Sequence, residues 1–173
     1  MMYSEDEVYA QIAKMLPEGR PIKLLDLGCC TGLEYDVFMR VNPETEVTGI
    51  KEEESLRQML REKTGKRVEH LRLIYGDYFN VDLGLKRYDV AMSVMELDEF
   101  SRKNKLMLYK KVFHALNSDG IYIEQDYVEN EDEIVGSLSN MFSKQISLLL
   151  ESGFQRVEKA WYRQNTIILK AIK

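Results

Sequence analysis

Cysteine is scarce in this 173-residue sequence, in which only Cys29 and Cys30 occur, and the two are adjacent. Adjacent cysteines rarely form a disulfide, because the bond strains the peptide between them. They make no metal site alone, and the two histidines, His70 and His114, are isolated from them. We therefore expect two reduced thiols, no bound metal and a cytoplasmic protein.

Long apolar runs are absent as well. No run approaches the ~20 residues of a membrane-spanning helix, and the longest, ISLLL at 146–150, falls within a predicted helix. The N-terminal stretch MMYSEDEVYAQIAKML is acidic and amphipathic, unlike a signal peptide. These features predict a protein without a membrane partner and agree with a cytoplasmic location.

Basic residues do not predominate, since 24 lysines and arginines stand against 29 aspartates and glutamates, for a formal net charge of −5. A broad electrostatic grip on nucleic acid needs clustered basic residues, so no nucleic-acid partner is expected. The apolar fraction of 45% is ordinary for a globular protein. A chain of this length can bury a full core, and we predict a single domain over residues 1–173.

Apolar runs alternate with helical stretches along the chain, which is typical of a parallel sheet with helices on both faces. The last two apolar runs are joined by three residues, too few for a parallel crossover, so they form an antiparallel hairpin. The prediction is an α/β fold of three layers, with a seven-stranded, mostly parallel sheet and a C-terminal antiparallel hairpin. The predicted strands are residues 23–27, 46–50, 71–75, 88–94, 121–126, 155–162 and 166–172.

The helices are marked by capping and turn signals. A Ser-x-x-Glu capping box at 4–7 opens the first helix, and a charged helix is predicted over 53–63. A long helix over 101–116 is followed by a turn at 117–120, and a later helix ends at Gly153. The continuous apolar character of residues 24–27 predicts a central strand, covered on both faces.

The stretch LLDLGCCTGLE, residues 24–34, runs from a strand through a Gly-containing turn into a helix. Glycine permits a tight turn and the close approach of a ligand, and a helix N-terminus offers free N–H groups to an anion. In such sheets, ligands bind outside the carboxyl ends of the strands. The pattern therefore indicates a nucleotide-type site, although a tight strand–helix turn also uses glycine for structural reasons alone.

This stretch resembles the first motif of class I S-adenosylmethionine-dependent methyltransferases, Asp-Leu-Gly-Cys-Gly-Thr-Gly. The resemblance extends over nearly the whole chain, including the terminal hairpin. It implies a Rossmann-like sheet, S-adenosylmethionine as the cofactor and a methyl acceptor of unknown identity. By position, Asp26 and Gly28 would lie against the methionine part of the cofactor, and Thr31 and Gly32 would complete the loop.

The chain departs from the family pattern at two predicted cofactor-binding positions. Cys30 stands where the family usually has glycine, and its Cβ would narrow the cofactor slot. Lys51 follows the second strand, where the family carries an acid that accepts both ribose hydroxyls. Lysine has donors only and cannot do this in the same way. Glu52 or Glu53 could substitute, although an acidic run at a helix start is also an ordinary solvated feature.

Further cofactor contacts are implied after the third and fourth strands. Asp77 would accept a hydrogen bond from the adenine amino group, although Gly-Asp after a strand is also a common turn. Tyr78 would flank the ring, or belong to the core. Met95 belongs to the stretch 88–100, which matches the family's fourth strand and the loop that borders cofactor and acceptor.

No catalytic residue is assigned. Many relatives carry a His pair in that loop, where this chain has acids instead, so Glu96, Asp98 or Glu99 could act as a general base if partly buried. Each could equally be an exposed acid. Little chain is available to cover the acceptor, so we expect an open acceptor side, which a second subunit of a homodimer would be one way to close.

Two functions remain open. The first is methyl transfer from S-adenosylmethionine to an acceptor that we expect to be a small molecule. The second is a binding or regulatory protein that keeps the methyltransferase fold with weakened or lost cofactor binding, which Lys51 and Cys30 favour. A nicotinamide-binding protein fits less well, because it would want Gly-x-Gly-x-x-Gly and an acid after the second strand.

Overall fold

The computed structural model describes residues 5–28, 33–51, 70–127, 137–163 and 166–173. The predicted helix over 53–63 and the capping serine of residues 4–7 lie outside these ranges. The chain divides into two compact units, Met1–Val81 and Asp82–Lys173. Each unit is described by itself, and the single domain predicted over residues 1–173 stays a prediction.

Among its described residues, the first unit has three parallel strands and two helices. Its core combines the almost entirely buried strand β1 with the apolar face of α1, on which the predicted residues Val8, Ile12 and Ala13 are buried. Tyr9 of α1 meets Phe38 of α2 edge to face, with ring centroids 6.3 Å apart. The elements are α1 (Glu5–Ala13), β1 (Ile22–Leu27), α2 (Leu33–Val41), β2 (Thr45–Lys51) and β3 (Leu71–Tyr75).

In the part of the second unit that the structure describes, there are four strands and two helices. Strands β4 and β5 pair in parallel, whereas β7 pairs antiparallel with both β5 and β6. The β6–β7 pairing confirms the predicted terminal hairpin. The elements are β4 (Tyr88–Val94), α3 (Arg102–Ala115), β5 (Leu116–Tyr127), α4 (Ser137–Glu151), β6 (Arg156–Arg163) and β7 (Thr166–Ile172).

The seven strands form one sheet in the order β3-β2-β1-β4-β5-β7-β6. The predicted seven-stranded, mostly parallel sheet with an antiparallel end is therefore confirmed. Strand β1 stands third in this order and is almost entirely buried, in agreement with the central position predicted from its apolar sequence. In the described part of the chain, none of the helices combines the length and apolar character that crossing a membrane requires.

The predicted turn at residues 117–120 needs correction, because strand β5 already begins at Leu116. The pairing passes from Tyr88↔Leu116 to Val90↔Ile121, so β4 advances two residues while β5 advances five. The extra residues bulge out within the strand, and a Cβ on Gly120 would come within 2.9 Å of the Leu116 Cβ. Residues 117–120, predicted to form a turn, therefore lie in a bulge within a longer strand.

Both ends of α3 and the end of α4 follow ordinary capping rules. Ser101 accepts a hydrogen bond from the Asn104 backbone at the start of α3. The Lys173 ammonium donates to the Phe113 and Leu116 carbonyls at its end, at 2.6 and 2.7 Å. After α4, Gly153 takes a positive φ of 118°, as the predicted glycine cap requires.

Candidate functional site

In the first unit, the carboxyl ends of three strands are held in line by backbone hydrogen bonds. The Gly28 N–H donates to the Ile50 carbonyl at 3.1 Å, and the Gly76 N–H donates to the Lys51 carbonyl at 3.0 Å. The pairing Lys51↔Tyr75 closes the β2–β3 ladder at the same edge. The residues that follow β1, β2 and β3 therefore share one edge of the sheet, the edge at which open α/β sheets bind their ligands.

The end of β1 combines a buried carboxylate with a turn that only glycine adopts easily. Asp26 is 3% exposed within the strand. Two residues later, Gly28 has φ of +87°, in the left-handed region that a Cβ disfavours. The positive φ explains why glycine stands at this turn, whereas the predicted contact of Gly28 with the cofactor stays a prediction.

Asp77 follows β3 and organises the turn after it. Its carboxylate accepts from the Phe79 N–H and from the Asn80 side chain, both at 2.8 Å. Gly76 lies close to Val81, whose Cγ2 would be 2.8 Å from an added Cβ. Asp77 therefore stabilises the turn, which is the structural alternative given for it above. Its carboxylate oxygens can accept further hydrogen bonds, so the contact with adenine stays a prediction.

Of the remaining cofactor residues predicted in this unit, the structure describes Lys51 and Tyr78. Lys51 is the last residue of β2 and is half-buried, so the departure from the family pattern stands at the very end of the strand. Tyr78 is buried in the core, which is the alternative given above to a contact with the adenine ring. Four further predicted cofactor residues, Cys30, Thr31, Gly32 and Glu52, lie outside the described ranges.

In the second unit, Met95 follows β4 in an unusual conformation. Its φ of +55° is rare for a residue with a side chain. The conformation is held by the Met95 N–H, which donates to the Gln125 carbonyl at 3.1 Å, and by the Gln125 amide, which lies 3.6 Å from the Met95 sulfur. The Met95 side chain is 40% exposed, so a predicted cofactor residue stands accessible at the end of β4.

The acids of the following loop differ in exposure. Asp98 and Glu99 are exposed, and the Asp98 carboxylate accepts from the Glu99 N–H at 2.9 Å. Glu96 is half-buried. Because both side chains are exposed to solvent, the alternative interpretation as surface acids fits Asp98 and Glu99.

A buried polar cluster at β5 was missed from the sequence. Glu124 Oε1 accepts from the Tyr109 hydroxyl at 2.8 Å and from the Gln145 amide at 3.1 Å. The same Gln145 nitrogen donates to Asp126 Oδ2 at 3.1 Å. We call Glu124, Asp126, Gln145 and Tyr109 the Glu124 cluster. The signal available in the sequence was Glu-Gln-Asp at the end of the predicted strand 121–126.

Burial dominates the electrostatics of this cluster. Removal from water raises the pKa of Glu124 from 4.5 to about 7, although the hydrogen bond from Tyr109 opposes the shift. Burial, together with the charge of Glu124, raises the pKa of Tyr109 well above its ordinary value. Glu124 therefore exchanges its proton near neutrality, which an exposed glutamate does not do.

A cavity of about 800 Å³ adjoins the cluster, and we call it the α3–α4 cavity. Its wall combines charged and polar side chains with the apolar side chains of Phe100 and Leu148. The expectation of an open acceptor side stays a prediction, because residues 128–136 lie outside the described ranges. The described residues that line it are Asp98, Phe100, Arg102, Lys105, Ser143, Lys144, Gln145, Ser147 and Leu148.

Among the residues that the structure describes, no group of three or more His, Cys, Asp and Glu side chains is placed to hold a metal ion.

The chain matches the sequence profile of a protein family described as a methyltransferase domain, over residues 19–164. No curated protein sequence matches the chain.

Solved structures share the fold at low sequence identity. A candidate O-methyltransferase from Nostoc punctiforme has a TM-score of 0.79 and 21% identity, over 97% of this chain and 56% of that chain. Human N-acetylserotonin methyltransferase, solved with S-adenosylmethionine, has a TM-score of 0.71 and 16% identity, over 97% and 53%. The protein PigF, solved with S-adenosylhomocysteine, has a TM-score of 0.72 and 14% identity, over 96% and 54%. This chain thus spans about half the length of these proteins.

Proposed function

Because the chain belongs to the methyltransferase domain family, with residues 19–164 matched, we propose that it transfers a methyl group from S-adenosylmethionine to a small-molecule acceptor. The observation that carries this proposal is that the ends of β1, β2 and β3 share one edge of the sheet. Gly28, with φ of +87°, forms the turn at the end of β1. The same proposal includes a homodimer and a cytoplasmic location, which agrees with two adjacent cysteines that we expect to be reduced.

The residues at this edge suit two ends of the cofactor. The buried carboxylate of Asp26 is a suitable acceptor for the ammonium of the methionine moiety, and Gly28 leaves room for close approach of the backbone. At the other end, Asp77 can accept from the adenine amino group through lone pairs that its turn does not use. Fit at both ends supports S-adenosylmethionine as the cofactor.

The bound cofactor supplies an electrophilic methyl carbon on its sulfonium. The protein then has to hold the two reactants in line and keep water away from them. Asp26, Gly28 and Asp77 would serve the first task by fixing both ends of the cofactor. A dedicated base is needed only for an acceptor that is protonated at the working pH, and none is assigned.

The rival function, a binding protein that keeps the fold without transfer, is favoured by one observation. Lys51 ends β2 at the position of the ribose acid, and its ammonium cannot accept a hydrogen bond from either ribose hydroxyl. If no neighbouring acid replaces the missing acceptor, affinity for the cofactor falls and transfer is lost.

A turnover assay separates the two functions. The chain is incubated with S-adenosylmethionine and a panel of small alcohols, phenols, amines and thiols, and S-adenosylhomocysteine is quantified. We expect acceptor-dependent product, and we expect Gly28→Ala to abolish it. Gly19→Ala is the matched control, since Gly19 also has a positive φ, of 75°, yet a Cβ there meets open space.

Product that needs no acceptor, or equal turnover in wild type and Gly28→Ala, would contradict methyl transfer at this edge. Thermal melting of both variants distinguishes loss of the site from loss of the fold.

A further inference from the structure

Met95 has a feature that the proposed methyl transfer does not use. It follows β4 with φ of +55°, a conformation that residues with a side chain rarely adopt. Such a conformation persists only where the surrounding structure holds it in place. Two contacts with a single neighbour, Gln125 of β5, hold Met95 here, and together they fix the position of its sulfur.

The first contact joins the two backbones. The Met95 N–H donates to the Gln125 carbonyl, with 3.1 Å between nitrogen and oxygen. The second contact joins the side chains, since the Gln125 amide nitrogen donates to the Met95 sulfur at 3.6 Å. Because the two residues are tied at both the backbone and the side chain, the amide donor stays beside the sulfur.

The Gln125 amide is a buried donor beside a weak acceptor. Gln125 is only 3% exposed, and among the described residues the Met95 sulfur is the one acceptor of its side-chain nitrogen. Buried donors are nearly always paired, yet a thioether accepts hydrogen bonds only weakly. An oxygen atom bonded to this sulfur would give the amide a much stronger acceptor at a contact that already exists.

Exposure distinguishes Met95 from its neighbour in β4. Met95 is 40% exposed, so a small dissolved oxidant reaches its side chain, whereas Met92 is 1% exposed. Met107 on α3 is 48% exposed as well, but no described residue donates a hydrogen bond to its sulfur. Met95 therefore combines access for an oxidant with a buried donor, and this donor would stabilise the polar sulfoxide that oxidation produces.

We propose that Met95 is a site of reversible oxidation, at which a hydroperoxide converts the thioether to a sulfoxide whose oxygen accepts a hydrogen bond from the Gln125 amide. The sulfur attacks one oxygen of the hydroperoxide, so that an S–O bond forms as the O–O bond breaks. Sulfur loses two electrons to the peroxide, and the proton goes to the leaving oxygen, which departs as water or an alcohol. Methionine sulfoxide reductases restore the thioether. The proposal concerns the second unit alone and does not rest on methyl transfer.

The sulfoxide at Met95 should form mainly as one epimer. Oxidation makes the sulfur chiral, and each epimer is reduced by its own class of reductase. An oxygen added on the side of Gln125 accepts from the amide as the S–O bond forms. That epimer should prevail by about fivefold, the ratio that one neutral hydrogen bond typically gives. Met107, which has no such donor among the described residues, should give nearly equal amounts of both epimers.

The test treats the full chain with limiting hydrogen peroxide and maps the products by mass spectrometry after digestion with trypsin. Cleavage after Arg87 and Arg102 places Met92 and Met95 in one peptide, which fragmentation resolves, and Met107 in another. Each digest is then divided between the two epimer-specific classes of reductase. We expect oxidation at Met95 and Met107 but not at Met92, with an excess of one epimer at Met95 and none at Met107.

Gln125→Leu removes the donor and keeps a side chain of similar size, with the melting temperature as a check on folding. The extent of Met95 oxidation should stay within about twofold of wild type because access is unchanged, whereas the epimer excess should disappear. Nuclear magnetic resonance gives a second measurement in wild type. Oxidation should move the side-chain amide proton of Gln125 downfield, since a stronger acceptor replaces the thioether, and Met95→Leu treated in the same way should show no shift.

Several results would overturn the proposal. Met95 could stay reduced while Met107 is oxidised, the two residues could give the same epimer ratio, or the excess could persist in Gln125→Leu. An amide proton of Gln125 that does not move when Met95 is oxidised would also contradict it. If Gln125→Leu fails to fold, the epimer ratios and the amide shift of wild type still distinguish a sulfoxide held by Gln125 from ordinary surface oxidation.

Discussion

We predict that Lys51 limits the affinity of the proposed site for its cofactor. A carboxylate at this position would accept two hydrogen bonds, each typically worth about 1.5–3 kcal/mol when a charged group takes part. Lys51→Asp should therefore tighten the binding of S-adenosylhomocysteine by about tenfold or more, measured by calorimetry.

Lys51→Met is the control for this substitution. It removes the ammonium without adding an acceptor, and it should give a smaller gain than Lys51→Asp. If Lys51→Asp binds no better than wild type, either a neighbouring glutamate already holds the ribose or the pocket is closed for another reason.

Glu124 couples the stability of the protein to pH. The folded state keeps this proton up to about pH 7, whereas an ordinary glutamate loses it near 4.5. The folded state thus binds more protons between these values, and the free energy of unfolding falls as the pH rises through them. The shift corresponds to a loss of roughly 3 kcal/mol at most.

Glu124→Gln should remove this pH dependence, because the amide can still accept from Tyr109 and carries no charge. Urea unfolding at about pH 5 and about pH 8 measures the free energy of unfolding of both proteins. As the pH rises, this free energy should increase for the variant relative to wild type. Glu44 is exposed, so Glu44→Gln is the control, and its free energy of unfolding should change with pH as that of wild type does. Parallel curves for Glu124→Gln as well would contradict the buried state of this carboxyl.

Residue by residue, the sequence is informative where backbone geometry depends on one residue type. Gly28 could be predicted, because a tight turn after a buried strand requires a positive φ. The Glu124 cluster could not, because its members come from β5, α3 and α4 and meet only in the folded chain. Burial of a polar group depends on such distant neighbours, and local pattern carries little of that information.

At the scale of elements, the end of α4 rests on glycine for two reasons. Gly153 has a positive φ of 118°, and an added Cβ would lie 3.1 Å from the Phe113 ring of α3. Gly153→Ala should therefore lower the free energy of unfolding by about 1–3 kcal/mol, from strain and crowding together. Chemical denaturation would measure it.

Gly19→Ala separates the two causes, since Gly19 has a positive φ of 75° and open space around it. It should cost about 1 kcal/mol, from the backbone alone. A loss for Gly153→Ala no greater than that for Gly19→Ala would show that Phe113 moves aside freely.

The strands could be predicted closely because continuous apolar runs bounded by turn residues mark buried strands. β3 and β4 have the predicted bounds, Leu71–Tyr75 and Tyr88–Val94. β5 was predicted too short, because Asn, Ser, Asp and Gly at 117–120 are turn formers in any local context. The pairing of Leu116 with Tyr88 extends the strand beyond them, and this pairing is not visible in the local sequence.

At the scale of the whole molecule, the family match and the strand order agree. The order β3-β2-β1-β4-β5-β7-β6 ends in the antiparallel pair that the sequence predicted. The chain covers about half the length of similar solved structures, such as 56% of the Nostoc punctiforme protein. Fold and family therefore support the cofactor more directly than they support any acceptor.

Binding of the cofactor at the edge formed by β1, β2 and β3 is the central claim, and calorimetric titration with S-adenosylhomocysteine tests it most directly. Wild type should bind S-adenosylhomocysteine. Asp26→Asn should lose about tenfold or more in affinity, because a neutral amide replaces the buried carboxylate that would pair with the ligand ammonium. Asp119→Asn, at an exposed position of the β5 bulge, should bind as wild type does. No heat of binding in wild type, or equal affinity in Asp26→Asn and Asp119→Asn, would contradict the account.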